Sequence, residues 1–277
     1  MPGTLYVVGT PIGNLGDFSP RGAEILSQAD FIAAEDTRVT LKLLNHLGIK
    51  KPMVSYYEHN LRERGEQIVS RILAGETCAV VSDAGMPCIS DPGEDLVRLC
   101  AQNGVNVYVV PGPSAAISAL CVSGLNTSRF SFEGFLSTNK VSRNEHLNQV
   151  KGSQNTLIFY EAPHKLLSTL RDMLRTLGDR KIALCKELTK LHEQVFRTTL
   201  SQAVEHYTQN PPKGEFVLVV EGAAPREEAM TLDGAVALAR EILAGGTKPA
   251  DAARQAAAVS GFKKAEIYKR LIREEER

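Results

Sequence analysis

The sequence predicts a two-domain α/β fold that ends in a small helical appendage. Three observations lead there. Short apolar runs alternate with amphipathic helical stretches through residues 4–114, strand-like runs crowd together over 115–224, and 225–277 turns to alanine, lysine, arginine and glutamate.

The first β-rich run, 4–8, ends at Gly9, and Ser19-Pro20 then supplies an N-cap and a first helical residue for 21–28. Strands at 31–34, 53–56, 77–82 and 106–110 alternate with helices at 37–47, 61–73 and 93–102. Repeated βα units of this kind imply a parallel sheet covered on both faces. After the helix that starts near Ser114, strands are expected at 129–135, 156–160, 181–187, 195–199 and 215–221. The clearest helix of this part follows Pro163, where Leu166, Leu170, Met173, Leu174 and Leu177 form an apolar stripe that stops at Gly178. The polar stretch 137–154 reads as a mobile loop. In the tail, Gly245-Gly246 and Gly261 separate three short amphipathic segments. The expected divisions are therefore 1–114, 115–224 and 225–277.

Composition narrows the function classes. The 277 residues suffice for two domains with their own cores. Thirty-two basic and 32 acidic residues cancel, so no global positive field draws the protein onto nucleic acid, and an RNA site has to be a local patch. Cys78, Cys88, Cys100, Cys121 and Cys185 lie in apolar segments without CxxC spacing and read as reduced core residues. No apolar run approaches the roughly 20 residues of a membrane span, and Met1 leads directly into a strand without a signal pattern. The cytosol is the expected compartment.

Three loops at strand ends carry the chemical signal. The first is Gly9-Thr-Pro-Ile-Gly13-Asn-Leu-Gly16-Asp17. Its spacing is not GxGxxG, which disfavours a nicotinamide cofactor and leaves either a ligand loop or a tight turn. The second runs from Ser82-Asp83 through Ser90-Asp91-Pro92-Gly93. So long a segment of small residues, beyond the carboxyl end of a parallel strand, lies where open α/β sheets bind ligands. Asp91-Pro92 could at the same time cap the following helix. The third, Pro111-Gly-Pro-Ser114-Ala-Ala116, is a rigid strand-to-helix turn, either a corner or a site whose free N–H groups meet a ligand.

Read together, VVGTPIGNLGDFSPRGAEILSQADFIAAEDTR, VSDAGMPCISDPG, VVPGPSA, FEGF, FYEAPHK and CKELTK closely resemble the ribosomal RNA small-subunit 2′-O-methyltransferase branch of the tetrapyrrole methylases, over nearly the whole chain. The resemblance implies the two-domain tetrapyrrole-methylase fold, a class III methyltransferase. It also implies S-adenosylmethionine in the cleft, a homodimer, and a cytidine ribose of small-subunit ribosomal RNA, or of the assembled subunit, as acceptor. It assigns the donor to Gly9, Pro11, Gly13 and Asn14 of the first loop and to Ser82, Asp83, Ala84, Gly85, Ile89, Ser90 and Asp91 of the second. Pro113, Ser114 and Tyr160 complete that set. Two departures, Asn14 in place of the GxGPGD pattern and Ser82-Asp83-Ala84-Gly85 in place of the GDP loop, favour RNA over a porphyrin-type acceptor.

Methyl transfer from a sulfonium is an in-line displacement, so positioning is the main task and an acceptor for the hydroxyl proton is useful. Asp17, Glu35, Asp36, Glu161, His164, Lys186 and Glu187 are candidates at strand ends, and Arg38 could clamp a phosphate. Of these, Asp36, Arg38, Glu161, His164 and Glu187 are put forward for the chemistry. Asp36 could equally be an N-cap, His164 a surface residue and the turn after Lys186 merely solvated. No metal spacing occurs. Lys140, Arg143 and Lys151 are expected to reach phosphates from the polar loop. The basic cluster Lys263, Lys264, Lys269 and Arg270 resembles part of a helix-turn-helix, with a dimer-stabilising or solvated helical pair as the alternative.

Overall fold

The computed structural model of the protein describes residues 2–57, 60–225 and 230–275. The parts of the expected appendage at 226–229 and 276–277 lie outside the described residues. Two compact units result, Met1–Ala223 and Ala224–Arg277.

In the first unit, β1 (Thr4–Val8), α1 (Pro20–Gln28), β2 (Phe31–Ala34), α2 (Thr37–Leu47), β3 (Met53–Ser55), α3 (Leu61–Leu73), β4 (Cys78–Val81), α4 (Glu94–Gln102) and β5 (Asn106–Val110) alternate as expected. They build an all-parallel sheet in the order β3-β2-β4-β1-β5. Every residue of β2 and β4 is buried, the mark of central strands with helices on both faces. Ser19 caps α1 by accepting from the Gly22 N–H, and Pro20 takes the first helical position. Ligands in such sheets bind beyond the carboxyl ends of the strands, where β1, β4 and β5 deliver the loops discussed below.

Then come α5 (Ala115–Ser123), β6 (Phe130–Phe135), α6 (Lys140–Val150), β7 (Thr156–Glu161), α7 (Pro163–Leu177), β8 (Lys181–Lys186), β9 (Gln194–Thr199), α8 (Leu200–Gln209) and β10 (Phe216–Val220). Their sheet runs β6-β7-β10-β8-β9 and is mixed: β6 and β7 are parallel, whereas β10 pairs antiparallel with both β7 and β8, and β9 antiparallel with β8. The stripe of α7 packs as anticipated, with Leu166, Leu170, Met173 and Leu177 in a core that also holds Phe159, Leu184 and Leu218.

Two expectations fail here. The polar stretch 137–154 is not a loop, because Asn139 caps α6 with its side chain and Leu147 and Arg143 turn inward. Arg143 is buried, with Nε 2.8 Å from Asp172 Oδ2 and Nη1 donating to the carbonyls of Ser137 and Thr138, so it cannot reach a phosphate. The cysteine expectation holds for three residues and fails for two. Cys78, Cys100 and Cys185 are buried, Cys88 is half-buried and Cys121 is exposed on α5.

The second unit holds α9 (Leu232–Ala244), α10 (Pro249–Ser260) and α11 (Lys264–Glu275). Ala235, Val236, Ala239, Ala253, Ala256, Ile267 and Leu271 form its own small core.

Candidate active site

Three backbones meet at the end of the parallel sheet. Thr10 and Gly85 exchange N–H···O bonds of 2.8 and 3.2 Å, joining the first loop to the second. The Gly9 N–H donates to the Val110 carbonyl, and Gly9 touches Gly112 so closely that a Cβ on Gly112 would sit 2.8 Å from the Cα, C and O of Gly9. Glycine at 9 and 112 is thus required by chain-to-chain approach. Gly85 adopts φ +86°, and a Cβ there would lie 3.4 Å from the Pro113 carbonyl. The second loop also holds Cys88 and Ser90 at φ +71° and +66°, which non-glycine residues adopt only where the surroundings enforce it.

The neighbouring loop after β8 closes against the first. Glu187 and Thr189 have φ +51° and +65°, and a Cβ on Gly13 would lie 2.5 Å from Lys190 Cγ and 3.2 Å from Thr189 Oγ1. Lys190 Nζ holds Glu187 (3.1 Å) and Glu215 (2.6 Å) together, and the Glu187 carboxylate also accepts from the Glu215 N–H. That backbone bond, followed by Lys190, keeps the Glu187 carboxyl below its usual range.

Between these loops and the end of β7 lies a cavity of about 520 Å³, within the usual size of small-molecule sites. Six carboxylates line it, Glu35, Asp83, Asp91, Glu161, Glu187 and Glu215, and no lysine or arginine does among the described residues. Burial pushes the Asp91 carboxyl up to about 6, with the charges of Glu35 and Asp83 adding and a Ser82 hydrogen bond opposing. Burial likewise raises Glu35 and Asp83. The two are knit by backbone donors: the Asp83 N–H donates to Glu35 (3.3 Å) and the Asp36 N–H to Asp83 (3.1 Å). Glu161, Glu187 and Glu215 have lysine partners, but Glu35 and Asp91 are desolvated without one, and such carboxylates favour a cationic ligand. The glycine contacts let such a ligand approach main chain, and Ser114, whose hydroxyl makes no capping bond, faces the same space. A sulfonium that also carries an ammonium group fits this lining, and an oligophosphate does not.

The residues singled out from sequence divide into groups. Asp83, Ala84, Gly85, Ile89, Ser90, Asp91, Ser114 and Tyr160 line this cavity, as do Glu161 and Glu187. Pro11, Gly13 and Ser82 line a second, smaller one of about 220 Å³, which shares Asp83. Gly9 and Pro113 act through backbone packing. Asn14 spends its side chain accepting from the Gly16 N–H. Asp36 caps α2 and pairs with the exposed Arg38 at 2.6 Å, which lowers its carboxyl to about 2. Neither Asp36, Arg38 nor the exposed His164 is among the cavity residues. Glu161 is buried and already bonded to Thr169 Oγ1 (2.5 Å), its own following N–H and Lys165 (3.2 Å). Asp91 does not cap α4; Gly93, at φ +135°, precedes that helix.

Sequence reasoning passed over Ile12, Met86, Phe135, Cys185, Leu188 and the strand β10 residues Phe216 and Val217, all of which line the cavity. Apolar residues at strand ends carry no chemical pattern of their own. Phe135 could have been found, since it ends a strand and is followed by a polar stretch.

A family model described as tetrapyrrole (corrin/porphyrin) methylases matches residues 4–204. The "Ribosomal RNA small subunit methyltransferase I" of Synechocystis sp. is 45% identical over 268 residues, covering 96% of each chain. That of Thermotoga maritima is 47% identical over 220 residues, 79% of this chain and 99% of its own. Among solved structures, "Crystal structure of the methyltransferase CobJ" superposes with a TM-score of 0.61 at 18% identity, over 81% of this chain and 96% of that one. At that identity the likeness speaks to the fold alone.

Proposed function

The chain belongs to the tetrapyrrole methylase family, and from that premise we propose that it is an S-adenosylmethionine-dependent methyltransferase of small-subunit ribosomal RNA, acting on a cytidine ribose 2′-hydroxyl. The observation that carries the reading is the cavity at the meeting of the three loops, lined by carboxylates and by no basic residue among those described. The acceptor is argued from relatives at 40–47% identity whose shared name specifies the RNA. The Thermotoga relative carries that name over 220 aligned residues, 79% of this chain.

S-adenosylmethionine supplies an electrophilic methyl carbon on a sulfonium. Asp83, Asp91, Ser90, Ser114 and the backbone around Gly85 would hold it, with Tyr160 closing the side toward the second sheet. Tyr160 is itself fixed, since its hydroxyl accepts from the Ala116 N–H at 3.2 Å. Glu161 and Glu187 are occupied by their own bonds and keep the walls in place, which is the larger part of catalysis when alignment is the task. Glu35, raised by burial and not assigned to the donor, is the lining carboxylate suited to take the hydroxyl proton.

We read 1–114 and 115–224 as the two α/β domains and 225–277 as the appendage. A homodimer is supported by β5, which ends its sheet and leaves Tyr108 and Val109 about half exposed. Light scattering reporting a monomer at micromolar concentration would remove that element. Work on ribosomal subunits implies the cytoplasm.

The direct test is transfer of labelled methyl to small subunits from cells lacking the enzyme, with mass spectrometry of the RNA. One 2′-O-methylcytidine is expected. A folded, donor-binding preparation that labels no subunit would defeat the acceptor assignment.

Asp91 sets a pH signature. Donor affinity will fall as pH drops through about 6, because a cation is held by the ionised carboxyl. The donor-free protein behaves oppositely. Its folded carboxyl binds the proton more tightly than the unfolded one, so this contribution to stability is present at low pH and lost as pH rises through about 6. Calorimetry from pH 5 to 8 on the native chain and on Asp91→Asn checks both signs; the variant should bind weakly with a flatter pH profile.

A further inference from the structure

Strand β6 contains a bulge, and its effect is confined to one side chain. Its pairing with β7 shifts between Phe132, opposite Ile158, and Gly134, opposite Phe159, which brings Phe135 opposite Tyr160. In a regular strand, residues three apart point to opposite faces. Here Phe132 and Phe135 both make edge contacts with the same Tyr160 ring, at centroid distances of 5.0 and 5.4 Å. Gly134, at φ +64°, supplies the left-handed residue that makes this possible. Without the bulge, Phe135 would turn toward the side where Glu133 meets His146 of α6.

The re-aimed ring lines the cavity and is 56% exposed. The two other aromatic residues of the lining are committed elsewhere: Phe216 is buried and Tyr160 is held at its hydroxyl. Lys165 Nζ stands 5.8 Å from the Phe135 ring centroid and tethers it from α7. Ile89, about half exposed, adds an aliphatic surface to the same cavity from the second loop.

A ribose inside structured RNA cannot reach a donor held in such a cavity unless its nucleotide leaves the base stack, and the lost stacking has to be replaced. We propose that Phe135 is the platform on which the base of the acceptor nucleotide stacks, placed there by the Gly134 bulge. This rests on the ribosomal RNA reading above. Stacking tolerates any base, so the ring positions the nucleotide without choosing it.

The chain contains no tryptophan, so Phe135→Trp puts a single indole at this point. Fluorescence of that variant should be quenched by unmethylated small subunits and remain unchanged with methylated ones. With small subunits and labelled donor, Phe135→Ala should raise the KM for subunits about tenfold or more, in keeping with the loss of one base–aromatic stack. Donor affinity should change less than twofold, and Phe135→Trp should restore the KM. Phe135→Leu keeps apolar bulk without a π face and guards against a merely structural role; it should behave like alanine. The proposal is overturned if leucine equals the native chain, if donor affinity falls in parallel with the KM effect, or if the tryptophan signal ignores subunits. A native chain that methylates subunits while these variants do the same defeats the platform alone; a native chain that labels none defeats the RNA reading instead.

Discussion

Replacing Gly112 with alanine will cost at least tenfold in donor affinity and about 1–3 kcal/mol in stability. The new methyl group would lie 2.8 Å from three backbone atoms of Gly9, and backbone cannot move aside as a side-chain end can. The turn after β5 must therefore part from the turn after β1. That separation reaches the cavity, because Thr10 of the same turn carries the paired hydrogen bonds to Gly85 and its hydroxyl donates to the Ser82 carbonyl at 3.1 Å. Calorimetric titration with S-adenosylmethionine, beside urea melts, measures the two effects. Ser114→Ala serves as the comparison, since that hydroxyl has no capping bond and its loss should weaken binding with little change in stability. Native affinity in Gly112→Ala would mean that the meeting of these turns does not form the donor site.

Arg143→Ala should destabilise the first unit by about 3 kcal/mol while leaving RNA affinity unchanged. The guanidinium and the Asp172 carboxylate are respectively 10% and 7% exposed, so removing one strands the other away from water. Arg175 also reaches Asp172, at 2.7 Å, and holds the loss toward the lower end of what a broken buried pair costs. The variant further frees the carbonyls of Ser137 and Thr138, which the guanidinium ties to the start of α6. Urea denaturation should show a lower midpoint with an unchanged slope. Subunit binding as a function of salt should be superimposable on the native curve. A stable variant with a shallower salt dependence would restore the phosphate-contact role expected from the sequence.

The contrast between these residues marks how far sequence reasoning reached. The three loops were legible because glycine, proline and serine in strand-to-helix turns act through local backbone geometry, and such geometry is written in consecutive residues. The first sheet followed from regular βα alternation, and the stripe of α7 from spacing within a single helix. Arg143 was misread for the complementary reason. Its partner is 29 residues away on another helix, and nothing adjacent to it distinguishes a buried guanidinium from a solvated one.

By itself, then, the sequence determined the strand–helix alternation of the first sheet, the small-residue loops at its strand ends and, through the motif run, the family. Only the tertiary structure decided which carboxylates share the cavity, that Glu161 and Glu187 are already bonded, and that a bulge turns Phe135 toward Tyr160. The division has a physical cause. Turn chemistry and periodicity are short-range properties of the chain, whereas burial, charge pairing and strand register arise between segments that meet only once the sheets have formed.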